Sequence, residues 1–228
     1  MNKILSIIIP TYNAAQFLDK GLSTFIMEDK EMMDKLEVLI VNDGTKDNSV
    51  EVAQKFVDRY PNTFKIINKE NGGHGSAINT GVENVTGKYF KCVDADDWVY
   101  TDALERTMKI LEKEDFDVLI QSFITYDISK DLWEPRDIHC DNTGHIYNLK
   151  EIVDMWEQID YGMSFHGVTY NAQFYKSLGY KLIEGVFYED QEYATIPLSY
   201  AKRIRLLDDE LYVYRLGDVN QSVSTQSQ

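Results

Sequence analysis

An α/β fold with a mainly parallel central sheet, flanked by helices on both faces, is what the sequence predicts, and three observations predict it. Short runs rich in β-branched residues alternate with amphipathic stretches at helical spacing. The stretches between successive runs are long enough for the crossovers that parallel strands require. The polar motifs fall directly after the strands, at the carboxyl edge where such sheets bind ligands. At 228 residues and 43% hydrophobic, the chain can bury one large core, and a single domain over 1–228 is the expectation.

The elements follow in order. "ILSIIIP" (4–10) reads as a buried strand stopped by Pro10. "AAQFLDKGLSTFIME" (14–28) spaces Phe17, Leu18, Leu22, Phe25 and Ile26 as one helix, and "LEVLIV" (36–41) is the second strand. "DNSVEVAQKFVDRY" is a helix with Asp47 or Asn48 as its N-cap, followed by the strand "FKIIN" (64–68). After the loop "KENGGHGS" comes a helix to about Val85, then a fourth strand, "KYFKCVD" (88–94). A helix from Thr101 to about Glu114 precedes the strand "DVLIQSFITYDI", and 130–148 reads as an excursion or hairpin. "LKEIVDMWEQI" is an amphipathic helix, "NAQFYKSLGY" another ending at Gly179, and "RIRLLDDELYVYR" a strand pair.

A formal net charge of −15 argues against a general nucleic-acid or anionic-membrane surface and leaves room for a local basic patch. Cys92, inside an apolar strand, and Cys140 offer no disulfide framework. The N-terminal apolar run is about half the length that spans a bilayer, so a cytoplasmic location is expected and the "NVT" at Asn84 carries no weight.

Asp94, Asp96 and Asp97 crowd the end of the fourth strand in "DADD". The run reads two ways. Asp94 and Asp96 can reach a common point and share Mg²⁺ or Mn²⁺, whose other ligands would be water and phosphate oxygens, which suggests a phosphorylated substrate. Alternatively the run is a solvated acidic turn capping the helix near Thr101. "PTYN" after the first strand, "NDG" after the second and "NKENGGHG" after the third point into the same crevice. In the third, Gly73 and its neighbours permit close backbone approach and the following helix N-terminus favours an anion, although neither a P-loop nor a dinucleotide fingerprint is present.

Four ordered stretches, 6–25, 36–53, 71–98 and, more weakly, "YEDQEY" (188–193), resemble the inverting glycosyltransferases of family 2, with the nucleotide-sugar-binding GT-A fold. The resemblance implies a nucleotide-sugar-binding half over 1–100 and an acceptor-binding half over 101–228. It implies that Pro10, Thr11, Tyr12 and Asn13 line the base and ribose, and that Asp43 accepts from a uracil ring N–H, so that a UDP-sugar is the expected donor. Asn42 departs from the family's common paired acids, and Ile78 stands where a basic residue is frequent, with His74 the candidate substitute. Asp96 is implied as the direct metal ligand and Asp94 as the contact to ribose and metal-bound water; Asp97 could bind metal, hold the loop or cap the next helix, and the cap is the preferred reading.

"GVFYEDQEYATIPL" places Glu189, Asp190 and Glu192 at a helix start, where acids also gather for dipole reasons alone. The family pattern assigns the catalytic base to Asp190, which would take the proton of the attacking hydroxyl. His166, Glu189 and Arg215 are expected on the acceptor side, with Ser222 a further neighbour. Of the aromatics from Trp156 to Tyr214, one or two are expected to stack on a saccharide or lipid-linked acceptor, the rest being core. The activity so implied is metal-dependent, inverting sugar transfer in cell-surface polysaccharide synthesis, with peripheral association at the inner membrane face through a segment not evident in this sequence. Competing readings are a nucleotide-sugar-binding protein without turnover and a sugar nucleotidyltransferase; the latter lacks its Gly-rich basic loop after the first strand.

Overall fold

The computed structural model describes residues 2–140 and 144–217. The chain runs β1 (Leu5–Thr11), α1 (Ala15–Ser23), α2 (Lys30–Lys35), β2 (Leu36–Asp43), α3 (Ser49–Arg59), β3 (Phe64–Lys69), α4 (His74–Asn84) and β4 (Tyr89–Cys92). There follow β5 (Trp98–Val99), α5 (Thr101–Lys113), β6 (Val118–Asp127), β7 (Leu132–Arg136), β8 (Ile146–Tyr147), α6 (Leu149–Asp154) and α7 (Trp156–Ile159). The last elements are β9 (Val168–Asn171), α8 (Ala172–Ser177), α9 (Glu189–Thr195) and β10 (Ile204–Leu216).

The described strands form one sheet in the order β3-β2-β1-β4-β9-β6-β10-β5, with β7 on β6 and β8 on β10. It is parallel through β3, β2, β1 and β4, and again between β6 and β10; β9 joins the two parts antiparallel to both neighbours. Parallel strands covered on both faces are shielded from water along their length and mostly apolar, and every residue of β1, β2 and β4 is buried. On one face Leu18, Leu22, Ala53, Leu104 and Met108 pack from α1, α3 and α5. On the other, Ala77, Ile152, Tyr175 and Tyr193 pack from α4, α6, α8 and α9.

Several local expectations change. The helix expected over 14–28 ends at Ser23, where the hydroxyls of Ser23 and Thr24 donate to the Lys20 and Gly21 carbonyls of the last turn. A separate α2 follows, capped by Asp29, whose carboxylate accepts from the Glu31 and Met32 amides. Pro10 lies inside β1 rather than ending it; the ladder to β4 stops at Ile8–Cys92, two residues earlier. The expected strand pair near the C-terminus is one strand, β10, whose register to β6 shifts between Leu207 and Tyr212. The helix read over 149–159 is two, and β9 falls mostly in 160–170, for which the sequence names no element.

Strand order reverses at β1: the chain winds outward through β2 and β3, then returns to place β4 on the other side. A crevice opens beyond the carboxyl ends at that point. "PTYN" and "DADD" border it on adjacent strands.

Candidate active site

The crevice is built from loop ends that hold one another. Asn13, at φ 49°, donates its backbone N–H to Thr45 Oγ1 at 2.7 Å and accepts from the Lys46 amide at 2.9 Å, stitching the loop after β1 to that after β2. Asp47 reinforces the seam, accepting from the Ala15 and Ser49 amides and from the Thr45 hydroxyl. Burial opposes the charge on Asp47, but the Ser49 hydroxyl and these donors pull its pKa to about 2. Asn42 holds its turn by accepting from the Thr45 amide and donating to Asn68. Thr11 is buried, with its hydroxyl on the Ile9 carbonyl, whereas Tyr12 is exposed at the mouth.

Asp43 is buried, and its carboxylate organises the loop before α4. Oδ1 accepts from the Gly72 amide at 2.9 Å and Lys69 Nζ at 2.6 Å; Oδ2 accepts from the Gly73 amide at 2.8 Å and Asn71 Nδ2 at 3.1 Å. A hydrogen bond from a uracil ring N–H, expected from the sequence, would have to displace one of these donors. Gly73 sits at φ 89°, a left-handed conformation that a side chain would strain.

His74 opens α4 and joins two acids. Its Nε2 lies 2.8 Å from Asp94 Oδ1 and its Nδ1 lies 2.8 Å from Glu189 Oε1. Burial works against charging the ring, but the two carboxylates outweigh it and raise the pKa to about 10, so the ring is an imidazolium donating from both nitrogens. The same contacts pull Asp94 and Glu189 down against their burial. The side chain expected to substitute for a basic residue is therefore a cation, already placed between the β4 end and the start of α9. Gly75, one residue on, is pressed against this region: a Cβ there would stand 2.9 Å from the Ile183 carbonyl.

The three aspartates after β4 have separate environments. Asp94 and Asp96 are partly open, each with 28% of its side chain exposed. Asp97 is buried, receiving the Tyr212 hydroxyl and, at 2.7 Å, the Arg215 amide. Burial, and after it the charges of Asp94 and Asp96, push Asp97 well above the carboxylate range. Of the three roles open to Asp97 the preferred one, the cap, fails: α5 begins after Tyr100 with no side-chain cap, and Asp97 holds its loop by tying it to β10. Asp96 lies 3.8 Å from Arg215 Nη1, and the Arg215 guanidinium rests 4.4 Å from the Phe17 ring centre.

His166 stacks on Tyr214 at 3.9 Å between ring centres and meets Tyr212 edge-on. One of its nitrogens lies within 4.8 Å of carboxylate oxygens of both Asp94 and Asp97. Burial lowers its pKa to about 4 despite Asp94, so it is neutral at pH 7. Beneath it, buried Lys91 donates to the His166 and Val168 carbonyls, its pKa brought to about 7 by burial. Asp190 is half-buried in the first turn of α9, its side chain 3.5 Å from Gln191 Nε2. Ser222 lies outside the described residues.

The crevice thus joins Asn13, Asp43, Gly73, His74, Asp94 and Glu189 through the contacts above, and Asp97, Arg215 and His166 adjoin it. Tyr212 was missed by sequence reasoning. It donates to Asp97 and accepts from the Asp94 amide at 3.1 Å, from 118 residues away. Nothing local marks it. Asp47 had a local signal in "DGTKD", whose second aspartate suits a helix start.

The model of the family described as Glycosyl transferase family 2 matches residues 6–179. The Bacillus subtilis glycosyltransferase EpsJ is 25% identical over 226 residues, 94% of this chain and 62% of EpsJ. The Escherichia coli glycosyltransferase YibD is 40% identical over 114 residues, 50% of this chain and 32% of YibD. The chain therefore spans less than two thirds of these relatives. Among solved structures, S. aureus TarS 1-349 in complex with UDP-GlcNAc has a TM-score of 0.72 at 19% identity, covering 94% of this chain and 59% of that one. The mannosyltransferase PcManGT from Pyrobaculum calidifontis in complex with GDP-Man and Mn²⁺ has a TM-score of 0.64 at 19% identity, covering 93% and 57%. At such identity the likeness is one of fold: an α/β mixed sheet flanked by helices, as in GT-A structures.

Proposed function

The chain belongs to glycosyl transferase family 2, and from that premise we propose that it transfers a sugar from a nucleoside-diphosphate sugar to an acceptor hydroxyl, inverting the anomeric carbon. One observation carries the reading. His74, following the Gly72–Gly73 turn at the start of α4, bridges Asp94 after β4 to Glu189 in the first turn of α9, beside Asp190, at 2.8 Å on each side.

Asp94 and Asp96, both partly open to solvent, offer hard oxygens that would hold Mn²⁺ or Mg²⁺ with water and phosphate oxygens as remaining ligands, and among the described residues the ligand atoms that lie within 4.8 Å of one another are those of Asp94, Asp97 and His166. When bound, the ion supplies charge neutralisation to the departing diphosphate. Asp97 is not needed as a ligand, since Tyr212 and the Arg215 amide already engage it. The N-terminus of α4 and the His74 imidazolium add positive potential where the diphosphate would lie. Pro10, Thr11, Tyr12 and Asn13 border the nucleoside, and Asp43 holds the turn that faces it. Asp190 accepts the proton of the attacking hydroxyl; it shares the helix start with Glu189, so the His74 contact sets its position relative to Asp94. Residues beyond about 100 supply the acceptor side, including His166 and Arg215.

The donor is a UDP- or GDP-sugar, with UDP favoured. The acceptor is a saccharide or lipid-linked saccharide, as in surface polysaccharide assembly at the inner face of the membrane. No described helix is long and apolar enough to cross a membrane. Calorimetric titration of UDP, GDP and CDP with Mn²⁺, then with chelator, tests the reading. Metal-dependent binding of one nucleotide, lost in Asp96→Ala, is expected. A folded protein that binds none of them refutes it.

A further inference from the structure

Just before α9 the chain forms a lip fastened at both ends. Leu182 is held by Asn79, whose Oδ1 accepts from its amide at 2.9 Å and whose Nδ2 donates to its carbonyl at 3.0 Å. The Ile183 amide donates to the Glu192 carboxylate at 3.2 Å, and at the far end Glu189 is held by His74. Between these anchors Val186, Phe187 and Tyr188 stand 46%, 79% and 67% exposed. A Cβ at Gly73 would lie 3.8 Å from the Gly185 amide nitrogen, so the lip borders the proposed donor turn on one side and Asp190 on the other. Tyr188 sits at φ 70°, a conformation that a bulky residue adopts only where its surroundings impose it. Two aromatic rings are thus left in water, on an anchored and strained backbone, directly before the proposed base.

Charge selects what covers them. No Lys or Arg occurs between 182 and 196, whereas Glu184, Glu189, Asp190 and Glu192 do. The His74 cation behind Glu189 is already paired with Asp94 and Glu189, so an anionic headgroup or a phosphorylated polymer lying on the rings would meet the lip's carboxylates. A neutral sugar ring presents apolar C–H faces to aromatic rings and hydroxyls to carboxylates. We propose that Phe187 and Tyr188 form the acceptor-binding lip, stacking on an uncharged saccharide that presents its hydroxyl to Asp190. The occupant's role as acceptor rests on the proposed transfer activity; the binding itself does not.

The test compares wild type, Phe187→Ala/Tyr188→Ala and Tyr188→Gly on an array of neutral and anionic oligosaccharides. UDP and GDP titrations with Mn²⁺ and flotation with phosphatidylglycerol vesicles run in parallel. Both rings are exposed, so the variants should fold, and Tyr188→Gly also removes the backbone strain. Wild type should bind neutral glycans, and the double variant should bind them about 5- to 150-fold more weakly, from about two- to twelvefold per ring for aromatic contacts. Nucleotide affinity should not change. Undiminished glycan binding in the double variant overturns the proposal, as does a wild type that binds no neutral glycan. Vesicle binding by wild type that the double variant loses overturns it in favour of a membrane contact. If no nucleotide binds but the glycan effect holds, the donor reading fails and the lip stands.

Discussion

Asp43→Asn isolates the group that shapes the donor turn. Each carboxylate oxygen of Asp43 accepts two hydrogen bonds, from Gly72 and Lys69 on one side and from Gly73 and Asn71 on the other. An amide keeps the volume but turns one oxygen into a donor, and in either flip that donor faces two others. Two bonds to a charged acceptor are lost, at ~1.5–3 kcal/mol each. Lys69 can swing to water and recover part of this, while the glycine amide cannot. A net cost of roughly 2–4 kcal/mol follows. If the turn opens locally, exchange of the Gly72 or Gly73 amide should accelerate by roughly 30- to 1,000-fold. If the loss is global, Tm should fall by on the order of 5–15 °C for a chain of this length. Hydrogen exchange resolved over 69–76, with a thermal scan, separates the two. Wild-type protection and an unchanged Tm would refute the assignment of Asp43 as the organiser of the turn.

Asp190→Asn should lower transfer by roughly 10²- to 10⁴-fold while leaving nucleotide affinity within about threefold; equal loss of both would make Asp190 a structural residue. Tyr212→Phe removes the hydroxyl shared by Asp97 and the Asp94 amide and should cost about 1–3 kcal/mol in urea unfolding, a value near zero contradicting its role. The His74 contribution has a defined pH window. Its folded pKa of about 10 exceeds the ordinary 6.5, so the stability it adds is whole below about pH 6.5 and fades as pH rises through 10. Because Asp94 and Glu189 are held below their ordinary values, the contact also weakens as acid protonates them. In chelator, the stability gap between wild type and His74→Ala should be widest near pH 5–6.5 and close towards pH 10; a gap independent of pH would show that the ring is neutral.

The strands and helices of the first hundred residues were legible because their signals are local. β-branched runs such as "ILSIIIP" and the 3.6-residue spacing in "SVEVAQKFV" need only neighbouring residues to be read. The C-terminal part was less so. β10 carries "DDE" in its middle, which reads as a turn, yet the strand continues because Gln121 Nε2 donates to the Asp209 carbonyl and the Ser122 hydroxyl to Asp208. β9 is four residues long and gains its identity from the two strands that it joins.

The edge that carries the candidate site was also readable: loops after parallel strands converge on the switch point, so His74, Asp94 and Asp96 could be put there on that ground, and Asp190 by resemblance alone. Their division of labour was not readable. Whether Asp97 caps a helix or ties its loop to β10 depends on Tyr212, 115 residues away, and the charge on His74 depends on Glu189, at the same separation. Such contacts are fixed by strand register and by which helix packs on which face, and neither is written in the local pattern. The sequence by itself determined most of the elements of the first hundred residues and which edge carries the polar residues, because periodicity and turn chemistry act over a few positions. Only the tertiary structure decided which carboxylates stay open, which are consumed in holding loops and where the cation sits, because desolvation and pairing depend on neighbours that folding alone brings together.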